Sequence, residues 1–202
     1  MGAPMTAESD HDWPRPPVGG WTSDDLDRLP NLPPHTELLD GSLVFVSPQT
    51  RFHSRAMRLL EYMLLTQAPG ELDVDREMTI HLDRRNRPEP DILVITQEAI
   101  TGSKQTKYLP GDVLLAVEVV SLDSEVRDRE VKPRKYATAG IPHFWRVEEN
   151  SDGYPVVYVY ELDPATKAYA PTGIFHDRLK VSRPYDIEID LTAINRRPPY
   201  TS

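Results

Sequence analysis

The sequence predicts an α/β domain with a mixed central sheet flanked by helices. Three observations carry that prediction: short apolar runs bounded by turn residues, an Asp-Gly pair between two such runs, and one long stretch with apolar residues at helical spacing. At 202 residues, such a chain buries about 70% of its unfolded surface and needs no disulfide or metal staple to fold. It contains no cysteine, which excludes disulfide scaffolds, zinc ribbons and cysteine nucleophiles.

Taken in order, residues 1–20 hold four prolines and few aliphatics, and are read as a disordered N-terminal tail. Thr22-x-x-Asp25 is a capping-box pattern opening a short helix that Pro30 closes. Glu37–Leu39, Asp40-Gly41 and Ser42–Val46 predict a hairpin with a type I′ turn, since both central residues tolerate positive φ. Ala56, Met57, Leu60, Met63 and Leu64 predict a helix from Phe52 to Gln67, ended by Pro69-Gly70. The alternation Leu72, Val74, Met78, Ile80, Leu82 reads as one half-buried strand, with Arg76 out of phase.

A polar turn over 83–87 leads through Pro88-Glu89-Pro90-Asp91 into a buried strand over 92–95. Leu114 to Val120 is a second buried strand, broken only by Glu118. A helix is expected from about Arg129 to Ala139, with Pro133 confined to its first turn and Gly140 as its stop. Strands follow at Phe144–Val147, Val156–Glu161 and Ile187–Asp190, so the folded domain spans 21–195 and residues 196–202 form a C-terminal tail.

Thirty-two acids against 23 bases give a net charge of −9, which works against general polyanion binding. A mean hydropathy of −0.51 and the lack of a long apolar run or signal-type leader lead to the expectation of a cytoplasmic protein with no membrane span. There is no G-x-G-x-x-G, phosphate loop, G-x-S-x-G elbow or H-E-x-x-H helix. The six histidines are scattered singly, an arrangement more often structural than ligating.

Three acids interrupt apolar strands: Glu37, Asp91 and Glu118. A buried carboxylate needs a cation or hydrogen-bond donors. A strand acid is more often salt-bridged than a ligand, yet three together supply hard oxygen donors suited to Mg²⁺ or Mn²⁺. Lys132 lies on the helical face shared with Tyr136 and Ala139, and can reach back toward Glu118. The surrounding run over 123–135 holds five bases and four acids, the usual mark of a solvated face. Arg51, Arg55 and Arg58 form one stripe of the long helix, and Arg84, Arg85 and Arg87 cluster in the turn before Asp91. Either group suits phosphate contact or plain solubility.

The order Glu-Leu-Leu-Asp-Gly, Pro-Glu-Pro-Asp-Ile, Val-Glu-Val-Val-Ser and Lys-x-x-x-Tyr-Ala-x-Ala-Gly-Ile-Pro-x-Phe-Trp resembles the Uma-type family of putative bacterial restriction endonucleases. That family is a branch of the PD-(D/E)XK nuclease superfamily. The likeness runs from about Trp21 to Val147 and includes Ser47-Pro48 and His53. It implies a restriction-endonuclease-like sheet with added C-terminal strands. It also implies metal-dependent hydrolysis of DNA, with Mg²⁺ or Mn²⁺ held by Asp91, Glu118 and Glu37 and with Lys132 as the catalytic cation. A homodimer would place two sites on opposite strands. Val120 stands where the superfamily carries its usual lysine, and Lys132 on the next helix takes that part. The alternatives are a nuclease-fold module that binds nucleic acid or a partner without catalysis, and a hydrolase of a smaller phosphoester.

Overall fold

The computed structural model describes residues 15–196. The rest of the predicted tails, 1–14 and 197–202, lies outside the described residues. The architecture is mixed α/β. Its centre is a sheet formed by β3 (Leu72–Arg76), β5 (Ile92–Thr96), β7 (Val113–Val119), β8 (His143–Glu149), β9 (Pro155–Asp163) and β10 (Ala168–Phe175). Their spatial order is β10-β9-β8-β7-β5-β3, parallel only between β7 and β8 and antiparallel elsewhere. The β7–β8 crossover carries α3 (Lys132–Ala139), as a parallel pair requires.

Helix α2 (Arg51–Gln67) covers one face, burying Phe52, Ala56, Leu60 and Leu64 against Val94, Val117 and Trp145. Helix α3 covers the other face, where Tyr136 packs with Leu93, Ala116 and Phe144. Alternate residues of β5 and β7 thus serve opposite cores. This is why both strands read as continuous apolar runs.

The predicted hairpin is β1 (Glu37–Leu39) with β2 (Ser42–Val44). Asp40 and Gly41 both take positive φ, 52° and 79°, as a type I′ turn demands. The hairpin docks on the following turn through Leu38 and Arg87, which exchange backbone hydrogen bonds of 3.1 and 2.8 Å.

Three expectations need correction. The single strand over 72–82 is two: β3 ends at Arg76, Glu77 turns the chain at φ 54°, and β4 (Thr79–Ile80) pairs instead with β6 (Lys107–Tyr108). Arg76, the residue out of phase, marks the break. The helix expected from Arg129 begins earlier, because a helical run over 125–139 contains a π turn at Arg127–Val131. That turn sends the Lys132 N–H to the Arg127 carbonyl five residues back, opening the ladder just ahead of Pro133. A proline that would otherwise clash four residues upstream is thereby accommodated. The sequence reading also lacked β10 and β11 (Arg178–Val181). β10 is a largely exposed edge strand with an irregularity between Pro171 and Gly173, and β11 completes a small hairpin with β12 (Ile187–Asp190) under α2.

Gly41→Ala should destabilise the protein by about 1 kcal/mol or more in urea unfolding, since a Cβ there meets the Arg85 guanidinium at 2.9 Å in a left-handed backbone. Burial lowers the His143 pKa, with Glu161 opposing and Arg183 assisting. The native state therefore binds fewer protons than the unfolded chain. Stability should fall as pH drops through the unfolded histidine value of about 6.5 toward the lower native one. His143→Gln should lose less stability than the parent over that window; an equal loss in both proteins assigns it to other groups.

Candidate active site

The C-terminal end of β7, the start of β5, the β1 hairpin and the π turn meet around a cavity of about 420 Å³. Glu37, Asp91, Glu118 and Lys132, scattered over 96 positions of the chain, all line it. At its centre is the Lys132 ammonium. Nζ lies 2.7 Å from Glu37 Oε1, 3.0 Å from Glu118 Oε2 and 3.4 Å from Asp128 Oδ1. All four side chains are almost fully buried.

Each carboxylate is held by a different element. Glu118 points from β7 to the α3 face, where the Tyr136 hydroxyl donates to its Oε1 at 2.6 Å. Glu37 Oε1 also accepts the Glu89 N–H at 2.8 Å, which ties the hairpin to the Pro88–Pro90 turn. Asp91 leaves that turn at the foot of β5, and its Oδ2 accepts the Val119 N–H at 2.6 Å, beside Glu118. Asp128 comes from the π turn; its Oδ1 is buried and makes no hydrogen bond.

His53, in the first turn of α2, closes the set. Its Nε2 is 3.2 Å from Asp91 Oδ1 and its Nδ1 is 3.1 Å from the Val119 carbonyl. Both ring nitrogens face acceptors, which suits the imidazolium. Burial opposes that charge, but Asp91 and Val119 outweigh it and raise the His53 pKa.

Burial pushes the Glu118 carboxyl well above the usual carboxylate range, against the pull of Lys132 and with help from Asp128, Asp91 and Glu37. Asp128 is raised for the same first reason. Burial alone would lower Lys132, yet Glu118, Glu37, Asp128 and Asp91 hold its pKa well above the ordinary lysine value. Four carboxyl groups thus gather around one lysine and one histidine, a surplus of acidic groups over cations.

That surplus and the hard oxygen donors, among them an Asp128 Oδ1 with no hydrogen bond of its own, suit a divalent cation. Among the described residues no three His, Cys, Asp or Glu side chains gather as a ready cage. Mg²⁺ is ordinarily held by one or two carboxylates, with water and substrate phosphate completing its shell.

The arginines predicted as nucleic-acid contacts lie elsewhere. Arg51 and Arg58 are exposed on α2, Arg55 bonds to Asn195, and none lines the cavity. Arg85 donates to the Asp40 carbonyl at 2.5 Å and braces the hairpin turn. Arg87 is a correction. It is 4% exposed, with Nε on Thr79 and Nη1 on Asp27, so it clamps the interior and presents no face to a phosphate. The arginine that does line the cavity, beside Lys132, is Arg127. Sequence reasoning passed over Arg127, Asp128 and the part played by His53. The available signal was the spacing Asp128, Lys132, Tyr136, one residue per helical turn.

Lys132→Met should cost roughly 3–5 kcal/mol at neutral pH, because it strands buried carboxylates. The raised native pKa values of Glu118 and Asp128 set the sign: as pH falls toward the ordinary carboxylate range, those groups take up protons and the penalty should shrink. Urea titrations of both proteins at neutral and acid pH check it; a penalty independent of pH excludes the carboxylates as its cause.

Comparison with known proteins agrees with this frame. No curated protein matches the chain. The crystal structure of a putative nuclease belonging to DUF820 from Anabaena variabilis ATCC 29413 shares the fold, with a TM-score of 0.64 at 16% identity over 79% of this chain and 87% of that one. The model of the Uma2 family, described as putative restriction endonuclease, matches residues 23–193. With the family model spanning the short helix α1 (Ser23–Leu26), the hairpin, the central sheet, α2 and α3, the chain belongs to the Uma2 putative restriction endonuclease family.

Proposed function

We propose that the protein is a metal-dependent endonuclease that hydrolyses DNA phosphodiester bonds, with Asp91, Glu118 and Glu37 around Mg²⁺ or Mn²⁺ and Lys132 as the catalytic cation. The observation that carries this reading is the gathering of four carboxylates, one buried lysine and one histidine on an open cavity at the end of β7. Asp91 and Glu118 offer the oxygens to hold the ion, with Glu37 alongside. When bound, the ion polarises the scissile phosphate and acidifies a water.

The chain's own residues supply the rest. Lys132 contributes a fixed positive charge where negative charge grows on phosphorus, and its three carboxylate partners keep it protonated and in place. His53 holds Asp91 in one orientation while Val119 N–H holds its other oxygen. Tyr136 fixes the Glu118 carboxyl from the helix side. Arg127, at the wall, is placed to meet a phosphate.

One observation favours the second reading, a module that binds nucleic acid without cutting it. The Lys132 ammonium is already ion-paired with three carboxylates. Incubation of supercoiled plasmid and single-stranded DNA with Mg²⁺ or Mn²⁺, beside an EDTA control, separates the two. The endonuclease reading expects cleavage that EDTA abolishes and that Glu118→Gln lowers on the order of 10²–10³-fold. No cleavage by the folded parent protein under either metal overturns it in favour of the binding module.

A further inference from the structure

A second concavity, of about 440 Å³, opens on the far side of α3 from the cavity just described. Helix α3 divides the two. Lys132 and Tyr136 serve Glu118, whereas Pro133, Arg134 and Ala137 form one wall of the cleft. The other wall is the sheet face of β8–β10. Arg146 is the register partner of Glu118 on the neighbouring strand, so the cleft and the carboxylate site share one sheet surface.

The lining is cationic and aromatic. Against Arg129, Arg134, Arg146 and Lys167 stand the carboxylates of Glu125, Glu130 and Glu148, which leaves one positive charge in excess on a chain of net −9. Lys167 makes no ion pair among the described residues, and Arg134 is 79% exposed. The Arg146 guanidinium lies 4.4 Å over the Tyr158 ring and 5.8 Å from that of Tyr160. Behind it, Phe144 lies 5.6 Å from Tyr160 and 5.5 Å from Tyr169, a rigid aromatic floor. Packed rings beside a guanidinium, with exposed cations at the rim, suit a strand whose bases stack and whose phosphates follow the charge. The folding core explains the floor but not Arg134 and Lys167 converging on its open side.

We propose that this cleft is a second nucleic-acid contact, taking a single-stranded segment by its phosphates at Arg134 and Lys167 and by a base against the Tyr160 face. It deepens the nuclease reading and rests on it for the identity of the polymer, while its own binding needs neither metal nor cleavage.

The test is fluorescence anisotropy of a labelled oligothymidylate of about twelve residues in EDTA, where no cut is made. The double variant Arg134→Glu, Lys167→Glu should weaken binding about tenfold or more. Loss of two phosphate contacts should also make the slope of log affinity against log salt shallower by about 1.4. The control Lys104→Glu, Lys180→Glu carries the same charge change away from the cleft and should leave both quantities near the parent's. Equal weakening by the control assigns the effect to net charge and overturns the proposal. So does a parent-like slope in the cleft variant, or equally tight binding of a labelled oligoglutamate. Binding through the cleft by a protein that cuts nothing keeps this inference and removes the nuclease reading; cleavage with a cleft variant of unchanged affinity does the reverse.

Discussion

The buried contact of Lys132 with Glu37, Glu118 and Asp128 is the constraint on which the rest of the molecule depends. It joins the hairpin to the distant strand β7 and to the helical crossover that follows that strand. Separated, each charge would bear the full cost of desolvation; together they offset it only if all four arrive in register. The fold therefore cannot place the hairpin loosely, since Glu37 must reach the lysine from a strand only three residues long. Arg87 and Arg85 meet that demand, one clamping beneath the hairpin and the other bracing its turn.

The π turn is the local counterpart of the same constraint. Proline immediately after Lys132 should break a helix, and the extra residue ahead of it takes up the misfit. π-bulges recur at functional sites because they shift a side chain without ending the helix. Here Asp128 and Lys132 end up on the same buried edge, with Tyr136 one turn further along. Local backbone irregularity and site chemistry thus overlap at Asp128 and Lys132.

Charge is distributed in two scales. The molecule carries −9 overall, yet the cavity holds Lys132, His53 and Arg127, and the cleft beyond α3 is positive. The surplus of carboxylates is buried, where a divalent cation would offset it. The rim cations remain in solvent, where salt screens them. This distribution permits local contact with a polyanion and disfavours general affinity for one.

Much of this was legible in the residues themselves. The Asp-Gly turn, the long amphipathic helix, the doubly buried strands and the choice of Glu37, Asp91, Glu118 and Lys132 all follow from local patterns, because burial period and turn chemistry act over a few residues. The break at Glu77 and the earlier helix start were hidden, since each is decided by pairing or packing with distant segments: β6 for the first, the accommodation of Pro133 for the second. The basic residues mislead for the same reason. Arg87 and Arg127 have the same chemistry in one dimension, and only tertiary placement turned one into an interior clamp and set the other on the cavity wall. His53 was likewise a lone histidine until folding set it between Asp91 and the Val119 carbonyl. Sequence by itself determined which groups would be charged and which faces apolar; the three-dimensional packing decided which charges meet, because electrostatic partnership depends on distance and burial that no local spacing encodes.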